Sequence, residues 1–164
     1  MSIYLTITAH PDDEILGFGG SSYHLSKKGH KIFNCILSGE VEERKFRPAI
    51  NKLKKNIDNA QKIVGAEQAI LGNFPNIKFN IVPHIDLVQF IERTIIQIKP
   101  DYIFTHHPED LNNDHYHTSK ACQAAARLYQ RRPMNKVKGL YFMEIPSSTD
   151  WSFSTPAMNF SPDT

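Results

Sequence analysis

Two cysteines in 164 residues leave this chain no disulfide framework to rest on. Cys35 and Cys122 stand far apart in apolar surroundings and read as buried, reduced thiols, so a cytoplasmic location is expected. No stretch approaches the ~20 apolar residues of a membrane span, and the first residues carry neither a basic leader region nor a cleavage site. Neither sign of charge predominates: 19 Lys and Arg against 17 Asp and Glu leave a net +2. That excludes a strong field toward nucleic acid or an acidic membrane surface. The basic residues concentrated in 44–62 alternate with apolar ones at helical spacing, the pattern of a solvated helix face. Internal repeats and low-complexity segments are lacking as well.

What is present is an ordinary globular composition, 40% apolar and 22% charged, at a length that one domain can fold around a single core. Short apolar runs at 3–9, 31–38, 68–71, 102–105 and 140–144 alternate with amphipathic stretches at 13–28, 48–64, 85–98 and 115–127. Such alternation predicts βαβ units: an α/β, Rossmann-like, mostly parallel sheet with helices on both faces. Gly29 stands where a helix would end in a left-handed residue, and Pro100 where the third helix cannot continue. Ligands in such sheets sit beyond the carboxyl ends of the strands. His10-Pro11-Asp12-Asp13 and Thr105-His106-His107-Pro108 both follow a predicted strand directly and are expected at one edge.

Adjacent carboxylates repel, so Asp12-Asp13 needs a reason. A divalent metal supplies one, because it draws carboxylates into their ionised form and relieves the repulsion. His10 and Asp13 carry donor atoms suited to zinc, Pro11 fixes the turn, and Asp12 is left to take a proton. The stretch from His106 to His117 holds four histidines and three acids with which to add a third ligand. A His₂Asp set leaves a position open for water, the catalytic form of a zinc site, although other divalent transition metals suit the same donors. Against this stands a plainer reading, in which Asp12 caps a helix whose first turn is acidic.

These residues also meet a known family. Ala9-His10-Pro11-Asp12-Asp13-Glu14, followed in order by Leu71-Gly72-Asn73-Phe74-Pro75-Asn76, Thr105-His106-His107-Pro108, Asp110-Leu111-Asn112, Asp114-His115 and Glu144-Ile145-Pro146-Ser147-Ser148-Thr149, resembles the PIG-L/LmbE-like zinc-dependent N-acetyl-sugar deacetylases. The likeness runs from Met1 to about Phe160 as one domain. It implies a Rossmann-like fold and metal ligation by His10, Asp13 and His115. It further implies that Asp12 is the general base and Asp114 an orienting carboxylate. The implied substrate is an N-acetylated amino sugar or its glycoconjugate, and homo-oligomers are common among such proteins.

Three departures qualify the resemblance. Where many relatives carry a histidine three residues before the ligand, this chain has Asn112, which can donate to an oxyanion but cannot shuttle a proton. His107 and His117 are the alternatives for an acid. Phe74-Pro75-Asn76-Ile77-Lys78 replaces the more usual Phe-Pro-Asp-Asn-Arg, and Arg44 and Arg47 fall where a substrate-binding arginine is common. Relatives usually continue beyond the Pro-Ser-Ser-Thr stretch with further helix and strand, whereas this sequence stops at Thr164, which is expected to leave the pocket less walled.

Other readings remain: a metal-dependent amidase, esterase or phosphoester hydrolase, or an inactive family member that only binds. A nucleotide-binding module is disfavoured. Gly17-Phe18-Gly19-Gly20 lies inside the predicted helix rather than in the turn after the first strand, where acids would repel a pyrophosphate.

Overall fold

The computed structural model describes residues 1–39, 48–132, 136–146 and 148. Five strands, β1 (Ile3–Thr8), β2 (Lys31–Ile36), β3 (Ile70–Leu71), β4 (Tyr102–His106) and β5 (Gly139–Met143), form one sheet in the order β3-β2-β1-β4-β5. All four pairings are parallel. Four helices connect them: α1 (Asp13–Lys27), α2 (Ile50–Val64), α3 (His84–Ile98) and α4 (Asn113–Gln130).

Alternation along β1 sorts its side chains onto two faces. Leu5 and Ile7 join Ile103 of β4 and the apolar stripe of α3 (Leu87, Ile91, Ile95), with Ala121, Cys122 and Ala125 of α4. On the other face, Tyr4, Ile32 and Phe104 pack against Phe18 of α1, and Ile36 packs against Leu53 and Ile57 of α2. The expected architecture is therefore the observed one. Ile91 is fully buried where α3 meets the sheet. Truncating it to alanine is expected to cost about 2–5 kcal/mol, the range for a cavity in a close-packed core, read as a shifted urea midpoint.

The ends of the elements follow local chemistry. Gly29 takes φ 80° beyond α1, as expected, and Gly65 takes φ 70° at the end of α2, conformations a Cβ would strain. Helix α4 starts two residues before the predicted 115 because Asn112 caps it, its Oδ1 accepting from the Asp114 N–H at 2.9 Å. A Cβ at Gly17 would come within 2.9 Å of Met143 Sδ and 3.1 Å of the Glu144 carbonyl, so close packing does account for that glycine. It does not account for Gly20, where a Cβ would meet open space.

Chain order reverses between β1 and β4, the two central neighbours: β1 continues outward to β2 and β3, β4 to β5. Their carboxyl ends lie side by side, and the loop leading to His10 and the end residue His106 open onto the same crevice.

Candidate metal centre

From the end of β1 the chain turns through Pro11 and Asp12 into α1, which brings Asp13 back under His10. The His10 N–H donates to Asp13 Oδ2 at 2.9 Å. From the other side, the first turn of α4 presents His115. Three donor atoms then converge. His10 Nδ1 lies 3.4 Å from Asp13 Oδ2, His115 Nε2 lies 3.3 Å from the same oxygen, and the two ring nitrogens are 3.3 Å apart. All three side chains are buried. Donors about 2.0–2.2 Å from one tetrahedral ion stand roughly 3.3–3.6 Å from each other, so the triangle has the dimensions of a metal site.

Two further carboxylates settle which ring nitrogens carry hydrogen. An ionised carboxylate can only accept, so His10 Nε2–H donates to Asp114 Oδ2 at 3.0 Å, and His115 Nδ1–H donates to Asp110 Oδ2 at 3.1 Å. Asp114 also accepts from the backbone N–H groups of Ile77 (2.6 Å) and Phe79 (3.0 Å). Asp110 accepts from the Ser148 hydroxyl at 3.0 Å. The lone pairs of His10 Nδ1 and His115 Nε2 are thereby turned toward Asp13, the carboxylate–histidine arrangement typical of ligating imidazoles.

Three electron-rich atoms pressed together out of water need positive charge among them. With no ion, protons serve. Burial would depress the His115 imidazolium, but Asp110 and Asp13 more than compensate and raise its pKa to about 9. His10 is likewise raised, burial being outweighed by its bonds to Asp114 and Asp13. Burial would push Asp13 upward, yet the surrounding histidines hold it well below the ordinary carboxylate range.

Asp12 sits exposed at the entrance to α1 with φ 150° and ψ −31°, a conformation sterically costly for a residue bearing a Cβ. Its side chain makes no capping bond to α1, so helix capping does not explain it. A groove of about 320 Å³ opens beside it, lined by Pro11, Ile15, Leu16, Leu53 and Ile57 among others. Glu14, next along, is buried, and burial raises its carboxyl to about 7 against the opposing pull of nearby backbone N–H groups.

The remaining expected residues lie as follows. Asn112 is the cap of α4, which engages its carbonyl oxygen and leaves Nδ2 as its donor group. Asp114 is fully buried behind His10. His107 is partly exposed, its Nδ1 accepting from the Glu109 N–H and its ring edge-on to Phe142. His117 lies two residues beyond His115 on α4, about 200° around the axis, and so faces away from the triangle. Arg44 and Arg47 lie outside the described residues.

Sequence reasoning missed His106. Its ring stacks on that of His115 at 3.9 Å and 10°, and its Nε2 accepts from the Ala9 N–H at 2.9 Å. Complete burial pushes its pKa down to about 3, so it stays neutral and forms the wall against which His115 is set. Asp110, quoted only as part of a motif, proves to be the partner of His115. Asn76 is buried with no hydrogen-bond partner for either amide atom among the described residues. A buried and unsatisfied amide had no signal in the sequence beyond the departure at that position.

The sheet is a doubly wound α/β layer, and at its switch point lies a buried His/Asp group whose donor atoms could hold a metal ion. The chain belongs to the PIG-L family: the family model described as GlcNAc-PI de-N-acetylase matches residues 5–126. It is 30% identical over 128 residues to the uncharacterized deacetylase YaiS of Escherichia coli K12, covering 75% of this chain and 67% of that one. The fold is similar to the conserved protein TT1542 of Thermus thermophilus, with TM-score 0.76 and 22% identity over 87% of this chain and 66% of that one. It is also similar to the N,N′-diacetylchitobiose deacetylase of Pyrococcus horikoshii, with TM-score 0.70 and 16% identity over 84% of this chain and 52% of that one. This chain thus spans two thirds or less of these two solved relatives. Among the described residues, no helix is long and apolar enough to cross a membrane.

Proposed function

We propose that this chain hydrolyses the acetamido group of an N-acetylated amino sugar or glycoconjugate, with a divalent transition metal, zinc by preference, held by His10, Asp13 and His115. The observation that carries this reading is the 3.3–3.4 Å triangle of buried donors, whose lone pairs are aimed inward by Asp110 and Asp114. Such an ion acidifies a water and polarises a carbonyl. Around it the protein's own groups divide the work. Asp12, outside the triangle and not used as a cap, accepts the proton of the attacking water. Asn112 Nδ2 is the candidate donor to the oxyanion, and Asp114 and Asp110 hold the two imidazoles in register. His107, Arg44 and Arg47 are assigned to the substrate. The apolar groove beside Asp12 suits the part of a glycoconjugate that lies beyond the sugar. Similarity to a diacetylchitobiose deacetylase and to YaiS supports deacetylation over phosphoester chemistry.

The direct test is acetate release over a panel of N-acetyl amino sugars, comparing zinc-reconstituted with chelator-treated protein. Release that depends on added metal is the expected result. No release from any member of the panel would contradict the proposal.

Proton accounting gives a second test. Ligation needs neutral imidazoles, whereas at pH 7 the metal-free His115, with its pKa near 9, is protonated. Zinc binding at pH 7 should therefore release about one proton or more, and affinity should climb with pH until it levels off near 9. Calorimetry in two buffers of different ionisation enthalpy reads this directly. The same shift has a signed effect on the metal-free fold. Stability contributed by His115 is fully present below the ordinary imidazole value of 6.5 and is lost as pH rises through about 9.

A further inference from the structure

A buried polar chain runs through the face of the sheet covered by α1 and α2, and the metal triangle makes no use of it. The Thr6 hydroxyl of β1 donates to Asn34 Oδ1 of β2 at 2.5 Å, and Asn34 Nδ2 donates to Gln61 Oε1 of α2. Gln61 Nε2 donates to Glu14 Oε1 at 3.0 Å, and the Asp12 N–H donates to Glu14 Oε2 at 3.1 Å. Each of the four side chains is 2% exposed or less. Every donor in the chain points toward Glu14, whose two carboxylate oxygens take the last bond from either side.

A buried carboxylate is costly unless both oxygens are satisfied, and apolar packing would fill this space more cheaply. An acid that only complemented the dipole of α1 would do so from the surface. What distinguishes Glu14 is its last partner. The Asp12 N–H precedes α1 and finds its acceptor in the Glu14 side chain instead of a helix carbonyl, and the residue that carries it holds φ 150°. Such a conformation persists only where the surroundings over-determine it.

We propose that Glu14 is a positioning residue for Asp12. Its carboxylate, clamped by Gln61, Asn34 and Thr6, holds the strained backbone of Asp12 and so aims the Asp12 side chain. The proposal rests on Asp12 acting as the base, but its primary test does not.

That test is amide hydrogen exchange by ¹H–¹⁵N NMR on the full chain. In the wild type, the Asp12 amide is expected to exchange slowly although it precedes a helix. Glu14→Gln leaves one carbonyl oxygen for two donors, so with that oxygen taken by Gln61 Nε2 the Asp12 N–H faces an NH₂ group and should exchange at least tenfold faster while the Leu5 and Ile7 amides stay unchanged. The double variant E14Q/Q61E restores every donor–acceptor pair with the carboxylate moved to position 61, and should restore slow exchange at Asp12. Should Glu14→Gln fail to fold, Gln61→Met serves, with Asp12 exchange faster than wild type. The proposal is overturned if Asp12 exchange is unchanged, if it rises together with Leu5 and Ile7, or if the double variant fails to restore it.

Kinetics on an N-acetyl sugar that the enzyme turns over give the second readout. Glu14→Gln should lower kcat by tenfold or more at unchanged KM and zinc content, and have no further effect in an Asp12→Asn background. If Asp12→Asn proves fully active, the base assignment fails, while the exchange result still decides the role of Glu14.

Discussion

Asp12→Asn is expected to retain zinc at wild-type stoichiometry and to lose about 10²–10⁴-fold in kcat, the usual worth of a positioned general base. The variant is nearly isosteric and removes the charge together with the capacity to accept a proton. Asp12 makes no capping bond, so α1 should not lose a cap, and the thermal midpoint should stay close to wild type. The exposed position matters here. Asp12 lies at the surface, open to an attacking water, whereas Asp13, buried among histidines, is held well below the ordinary carboxylate range and cannot serve. Environment, not spacing, divides the roles of these neighbours. Steady-state acetate release with metal analysis of the same sample makes the check. A variant that loses zinc along with activity, or one that keeps full activity, would overturn the assignment.

Substitutions behind the triangle are expected to act on metal affinity in a graded way. Asp114→Ala removes the acceptor that fixes His10, and Asp110→Ala the one that fixes His115. Each should weaken zinc by about 10–100-fold, the usual cost of losing a carboxylate that orients a ligating histidine. His115→Ala removes a donor outright and should cost more than either. Asp114→Ala carries an added penalty, because the Ile77 and Phe79 N–H groups lose their acceptor and the segment after β3 loses its anchor to α4. Competition with a chromophoric chelator measures all three. Equal affinities across the series would mean the ion binds elsewhere.

Much of this is legible in the sequence because it is written locally. Strands and helices betray themselves by period, and His10, Asp13 and Asp12 fall within one turn at the end of a β-branched run, where sheet topology fixes which edge they face. Periodicity alone places the start of α4 two residues late, because that start depends on the Asn112 cap, a side chain that sequence reasoning reserves for an oxyanion. His106 escapes notice beside His107, since nothing in Thr-His-His-Pro says which ring turns inward. The answer lies in strand alternation at the last residue of β4 and in the Ala9 N–H of its neighbour. The chain of Thr6, Asn34, Gln61 and Glu14 joins four elements across the sheet, and long-range polar pairing of this kind leaves no periodic trace.

The proposed hydrolysis requires one ion held by His10, Asp13 and His115, and X-ray absorption at the zinc edge of the reconstituted protein tests this most directly. One zinc per chain is predicted, with two imidazole nitrogens and light oxygen donors at about 2.0–2.2 Å and no sulfur. The second imidazole should vanish from the spectrum of His115→Ala. A shell containing sulfur, or a spectrum that His115→Ala leaves unaltered, would contradict the account.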